Sequence, residues 1–513
     1  MQYIKTNVQT ILYFFFFGIL FAAKGIGLYD GQTIFKCIVV IASTSLLMKV
    51  SLERYNRVEI LYIGISLTIA GISYMNSGDK GLLLYILLMI GMKNINIEKL
   101  LQFALIMWAA AFGSIWFISL MHMESTEYRV ANKLGMEHIF RWSMGYAHPN
   151  VLHISYLILV ALVLLVLQEN ITWRHYLGLI LGNVLVFLFS VSYTGVAICF
   201  LLLIGRGYMQ IRHHITIIER ILIGVVFPCY IIVSVLGPIM LKGKVFDIVN
   251  KILNTRLYLA KHYLTKEYVS LFGVKISDIT TSHWTMDNSY VYALIAYGVI
   301  IFLSICILFE WLILSYLKQG KMTEIIVILT LLGAGLTEPF LFNASFKNIV
   351  FIFLGGLIYE KIQCRGEEKI SIFKIKNREI YIPVFGVRSR IYKIKETLAS
   401  KKEWIILGGC LGGILALLWW NIYGRMPEGF VTERDRCEDI SENITVYDGK
   451  NREYQNYKAM KEFMEGEEIE YFAGDIIRME TARWKMIYGI AGTGCGAAIA
   501  GSIAMIVKRK KNK

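Results

Sequence analysis

The sequence predicts an all-α, polytopic membrane protein with about fourteen transmembrane helices. Hydrophobic residues make up 56% of the 513 and charged residues only 18%, against about a quarter charged in soluble domains. The apolar residues gather in blocks close to the roughly 20 residues that a helix needs to cross a bilayer. The basic residues gather in the short connections between those blocks, so the net charge of +15 reads as a positive-inside bias and not as a nucleic-acid surface.

The blocks centre on Phe16, Ala42, Ile65, Leu87, Ala109, Val160, Val184, Phe200, Ile231, Val299, Leu331, Phe353, Gly413 and Gly496. The first, "TILYFFFFGILFAAKGIGLY", lacks a small-residue cleavage pattern and is read as a span, not a signal peptide. An even count puts both termini on one side, and the basic tail "KRKKNK" makes that side cytoplasmic. "LERYNR", "GRGYMQIRHHITIIER" and "LKQGKM" then fall inside, as their basic character requires. The turn "SVSYTG" divides an apolar stretch that is too long for one crossing.

Three segments fall outside and are long: Met121–Asn150, Leu241–Ser289 and Asn421–Arg483. From Arg425 to Arg483 the third carries fifteen acidic and nine basic residues, an excess of acid that suits the external side. Lys361–Glu403 is a basic cytoplasmic linker whose partial alternation suits a small strand pair or a lipid-surface segment. Six of the eight cysteines lie in apolar runs, while Cys364 and Cys437 fall in loops. With no CxxC or Cys/His spacing, neither a disulfide framework nor a metal site is predicted.

Polar islands sit at the outer ends of the spans. "RWSMGYAHPN" places Arg141, His148 and Asn150 before a span, with Pro149 suited to the first helical turn. "NTRLYLAKHYL" reads as an amphipathic helix with Leu253, Leu257, Ala260 and Leu264 in one stripe and Arg256 beside it. "MDNSYVYALIAYGVI" opens a span with Asp287, Asn288 and Tyr290. "LTEPFLFNASFKN" carries Glu338, Asn343, Lys347 and Asn348, and "SVSYTG" contributes Thr194. Each island has a structural reading: His148 and Asp287 as helix caps, Glu338 with Lys347 as an ion pair, Lys24 and Lys36 as snorkelling residues. Together they supply cations, candidate bases and carboxamides on one side of the membrane, a set suited to an anionic lipid headgroup bearing a sugar.

In order and context these islands resemble the Wzy-type polysaccharide polymerases of the O-antigen ligase superfamily, in particular the capsule and exopolysaccharide branch. The resemblance covers about Met1 to Glu360. It implies a GT-C-like helical core with long external loops in the bacterial cytoplasmic membrane. It also implies a metal-independent glycosyltransferase that needs no cofactor. That enzyme would join undecaprenyl-diphosphate-linked oligosaccharide repeats at the outer face, with membrane lipid, a chain-length regulator or a flippase as partners. Arg141 and Arg256 match the family's functional arginines in two external loops. A His-Asn pair common in the family is "DN" here, which moves Asp287 into the histidine's place. The superfamily's Ser-Arg-Thr turn is "SYT", so one cation is missing.

The site expected from this reading has Arg141 and Arg256 on the diphosphate. Asp287, His148 and Glu338 are candidate bases in that order. Asn150, Asn288, Tyr290, Thr194 and Lys347 contact substrate. Ligation of the glycan to another acceptor, transport by a flippase, and a receptor role remain open. Residues 1–360 form the expected core, 361–403 the linker, and 404–513 a C-terminal hairpin around the acidic loop 421–483. Gly408 and Gly412, like Gly492, Gly496 and Ala500, are spaced four apart, which suits close pairing of helices with each other or with a partner.

Overall fold

The computed structural model describes residues 2–122, 127–133, 136–212, 215–265, 268–281, 284–363, 370–371, 379–384, 402–423, 446–447, 453–454 and 472–511. Most of the acidic loop 421–483, much of the basic linker 361–403, Cys364 and Cys437 lie outside them.

Among these residues the fold is helical, and eleven helices are long and apolar enough to cross a membrane. In chain order these begin with α1 (Val8–Gly25), α2 (Thr33–Leu52), α3 (Arg57–Ser77), α5 (Ile97–Met121) and α6 (Pro149–Leu167). Next come α7 (Trp173–Ser190), α8 (Tyr193–Ile211) and α9 (Ile217–Ile231), which runs on through a π turn to α10 (Gly237–Met240). Last are α13 (Ser289–Gln319), α16 (Lys402–Tyr423) and α17 (Gly474–Lys511). Large apolar side chains such as Leu47, Met75, Ile217 and Leu303 are exposed on their outer faces, as lipid contact requires.

All fourteen predicted centres lie on helices, but three of those helices fall short. They are α4 (Gly81–Gly91), α14 (Met322–Ala334) and α15 (Val350–Gln363), with 11, 13 and 14 residues. At 1.5 Å per residue, α4 reaches only about 16 Å, roughly half a hydrocarbon core. These short helices are the packed centre of the molecule. Tyr85 of α4 stacks on Phe351 of α15 with ring centroids 4.3 Å apart, and Ile325, Leu331 and Leu332 of α14 are fully buried. Hydropathy alone does not separate such core helices from spans, because both are apolar throughout.

The first ten residues of α13 are all buried. Gly298 then breaks the helix with φ +82°. A Cβ there would lie 2.3 Å from Leu271 O, and one at Gly273 would lie 1.9 Å from Ala296 O. The two glycines let the stretch "SLFGV" hydrogen-bond directly to this opening: Val274 N donates to Ile295 O and Val299 N to Ser270 O, each at 3.0 Å.

The first of the three long segments forms a hairpin of β3 (Tyr128–Lys133) and β4 (Met136–Trp142). The second forms α11 (Gly243–Ile252) and α12 (Arg256–Leu264). The expected single stripe from Leu253 to Leu264 is therefore interrupted: Asn254 and Thr255 take φ +50° and +69°, and α12 begins at Arg256. The linker strands β5 (Ile370–Ser371) and β6 (Glu379–Val384) do not pair with each other. They pair with β2 (Arg54–Tyr55) and β1 (Gln2–Asn7).

α16 and α17 pair through their glycines. A Cβ on Gly412 would lie 2.2 Å from Gly492 O, and one on Gly496 would lie 2.0 Å from Gly408 O. The pair also docks on the core, where Trp484 is fully buried against Trp142 and Phe189 at 4.9 and 5.6 Å.

Candidate functional site

The polar islands converge on Thr337 and Glu338, in the connection between α14 and α15. From the first island, Asn150 Nδ2 donates to Glu338 Oε1 at 2.8 Å, while Asn150 Oδ1 accepts from Arg141 Nη2 at 2.6 Å. From the second, Arg256 Nε donates to Thr337 O at 3.2 Å. From the third, Ser289 Oγ donates to Glu338 O at 2.6 Å, and Asn288 Nδ2 to Leu336 O at 3.2 Å. From "SVSYTG", Ser190 O accepts from Arg141 Nε at 3.0 Å. Residues up to 188 positions apart in sequence are thus locked into one cluster by backbone carbonyls and carboxamides.

The two arginines are held as fixed forks. Arg141, 8% exposed, has Nε on Ser190 and Nη2 on Asn150. Arg256 has Nε on Thr337 O, Nη1 on Asn254 O at 2.8 Å, and Nη2 3.3 Å from Asp287 Oδ2. The αL turn at Asn254–Thr255 that begins α12 is what aims this fork. Burial, the largest influence, lowers the pKa of Arg141; Glu338 raises it, and the charges of Arg129 and Arg256 lower it further.

Arg129 is a member that sequence reasoning missed. The hairpin register sets it directly opposite Arg141. Like charges opposed across an antiparallel pair are destabilising, so the pairing favours an anion at this place. Its signal in the sequence was the alternation on both sides of a short turn, which fixes cross-strand neighbours once the register is known.

Glu338 is the buried acid of the cluster. Loss of water pushes its carboxyl up to about 7, and Asp287 adds to the rise; Arg256, the Asn150 hydrogen bond and Arg141 oppose it. No family model matches the chain, and no curated protein or solved structure matches it either. Geometry alone therefore sorts the predicted residues.

Arg141, Asn150, Arg256, Asp287 and Glu338 come together. His148 caps α6, its Nδ1 accepting from Asn150 N at 3.1 Å, and Pro149 occupies the first turn. Asn288 caps α13 through Tyr290 N and Val291 N. Tyr290 is fully buried with its hydroxyl on Leu332 O at 2.7 Å, so it fastens α13 to α14. Thr194 is half-buried in the first turn of α8, after the capping Ser192. Lys347 does not pair with Glu338. Its ammonium donates to Ser155 Oγ at 2.8 Å and lines a separate cleft with Lys24; Lys36 is exposed.

One polar network below the cluster was also missed. His153 of α6 contacts Ser190 Oγ at 3.0 Å and Asn183 Oδ1 at 2.8 Å. It steadies the end of α7 whose carbonyl receives Arg141. Among the described residues no group of three or more metal-ligating side chains converges.

Proposed function

We propose that the protein polymerises undecaprenyl-diphosphate-linked oligosaccharide repeats into a surface polysaccharide at the outer face of the bacterial cytoplasmic membrane. The observation that carries this reading is the cluster itself: Arg141 and Arg256 around one buried carboxyl, Glu338, with Arg129 opposite Arg141. Guanidinium forks match the oxygens of a diphosphate and stay charged at all working pH values.

In this reading a sugar hydroxyl of one lipid-linked repeat attacks the anomeric carbon of the growing chain. The bond from that carbon to the diphosphate oxygen breaks, and its electron pair leaves on undecaprenyl diphosphate. Charge grows on that oxygen, so fixed guanidinium donors lower the barrier. The hydroxyl proton passes to a base. Asp287 is engaged by Arg256 and His148 by its cap, which moves Glu338 to the front: a carboxyl with a pKa of about 7 is matched to proton transfer near neutral pH. Asn150 bridges Arg141 and Glu338 and holds them in register.

The reading includes a GT-C-like core in which α4, α14 and α15 complete fourteen membrane-embedded helices, with both termini cytoplasmic. It is tested by supplying purified protein with lipid-linked repeats. A ladder of lengthening polymer supports it. Transfer to another acceptor without lengthening identifies a ligase, and no product with translocation of the lipid identifies a flippase.

A further inference from the structure

A second polar concavity borders the first turn of α6. This cleft, of about 330 Å³, is lined by Lys24, Asp30, Asp79, Asn343 and Lys347, with Ala147 and Val151 in its wall. Lys24 comes from the last turn of α1 and Lys347 from the connection before α15. Each is only 4% exposed.

The two carboxylates of the cleft already have partners. Asp30 pairs with Lys80 at 2.9 Å, and Asp79 accepts from Gly81 N, with burial pushing its carboxyl up to about 6. The charge of Asp30 reaches Lys24, but the groups nearest the two ammoniums are softer. Lys24 Nζ stands 3.6 Å from the centre of the Phe35 ring. Lys347 Nζ has the Ser155 hydroxyl and the faces of Tyr146 and Trp108 at 5.4 and 5.9 Å. Among the described residues no carboxylate lies within 4.0 Å of either. Burial, then the charge of Lys24, pulls Lys347 down to about 7, and the charge of Glu338 opposes the fall. Two buried like charges facing one space are costly without a counterion. The N-terminus of α6 adds positive potential from the same wall.

The geometry points to a second anion site here, separate from the arginine cluster, that takes a phosphate or diphosphate group. Its cations come from α1, which the arginine cluster does not use, and from the far end of the α14–α15 connection that also carries Glu338. The inference does not depend on glycosyl transfer.

Calorimetric titration of the purified full-length protein in detergent with inorganic pyrophosphate tests it. Wild type is expected to bind two per chain. Lys24→Gln should weaken one of them by about tenfold or more, the scale of losing a charge-assisted hydrogen bond, and Lys24→Arg should keep it. Arg256→Ala should weaken the other and leave the Lys24-dependent one in place. Farnesyl diphosphate separates the two sources. Tighter binding than pyrophosphate at the Lys24-dependent site marks a lipid headgroup, equal binding marks a free phosphate, and both support the site. Should Lys24→Gln fail to fold, Lys347→Gln takes its place with Lys24→Arg as control. Binding unchanged in a folded glutamine variant, or a single site lost only with Arg256→Ala, overturns the inference. A missing polymer ladder with both anion sites intact would count against the polymerase reading and leave this one standing.

Discussion

The indole Nε1 of Trp142 donates to Oε2 of Glu480 at 2.8 Å, which ties the C-terminal helix α17 to the strand that carries Arg141. One turn on, Arg483 pairs with Glu480 and donates to Phe140 O at 3.1 Å, to Leu188 O and to Phe189 O. Ser190, the next residue, gives its carbonyl to Arg141. The C-terminal hairpin thus braces both supports of a site arginine.

Loss of this brace has a predicted cost. Glu480 is fully buried and Arg483 9% exposed. Arg483→Ala strands a buried carboxylate, so a destabilisation of about 3–5 kcal/mol is expected, seen as a lowered Tm in a tryptophan-fluorescence melt. A stop codon after Ser400 should cut polymerisation per folded molecule at least about tenfold, the size of one misplaced transition-state contact. Full turnover in the truncated protein would mean that α17 only decorates the core.

Glu338 predicts the pH profile. A base with a carboxyl pushed up to about 7 is protonated below that value. Turnover should therefore fall about tenfold per pH unit below 7, and Glu338→Gln should remove this limb with most of the activity. The stability sign runs the other way. Between the unfolded carboxyl pKa near 4.5 and about 7, only the folded state holds the proton. Stability from this group is present below pH 4.5 and lost as pH rises through 7. Asp287→Asn should keep the acid limb and slow turnover only a few-fold, since a partly exposed ion pair is worth about 0.2–1 kcal/mol. An unchanged pH profile in Glu338→Gln would remove Glu338 as the base.

The Arg129–Arg141 register makes opposite predictions for stability and binding. Arg129→Ser removes a cross-strand repulsion of about 0.2–1 kcal/mol, so the protein without ligand should melt slightly higher. The same variant should bind pyrophosphate at the arginine cluster more weakly. Lower stability together with unchanged affinity would assign Arg129 a structural role.

Much of this arrangement was legible in the sequence, because apolar length and polar interruption are local signals. The fourteen apolar centres all lie on helices, Pro149 and His148 begin α6 as a cap-and-proline pair should, and the spaced glycines of α16 and α17 meet. What sequence missed depends on partners far along the chain. Nothing in "GLLLYILLMIG" distinguishes a buried half-length helix from a span, since both are apolar on every face. The break before Arg256 needed Thr255 in the left-handed region, which its composition disfavours. The convergence of Arg141 on Glu338 through Asn150 and the partnership of Lys347 with Ser155 are tertiary facts, set by which helix ends pack together.

The proposed function requires these ends to lie outside the cell. Single cysteines placed at Glu127 and at Lys275 in a cysteine-free background should react with an impermeant maleimide in intact cells, and one placed at Arg57 should react only after permeabilisation. Protection of both Glu127 and Lys275 would put the cluster on the wrong side for an outer-leaflet substrate.

The central claim is that Arg256 stabilises the leaving diphosphate. It is tested most directly by the initial rate of polymer-ladder formation from lipid-linked repeats by purified Arg256→Ala, per folded molecule. The account predicts a loss of roughly 10²–10³, about 2.7–4 kcal/mol, the scale of removing one transition-state donor. Arg256→Lys should recover only part, because a point charge cannot reproduce the fork. A lowered Tm with turnover per folded molecule unchanged would contradict it, and would make Arg256 a tie between Thr337, Asn254 and Asp287 and nothing more.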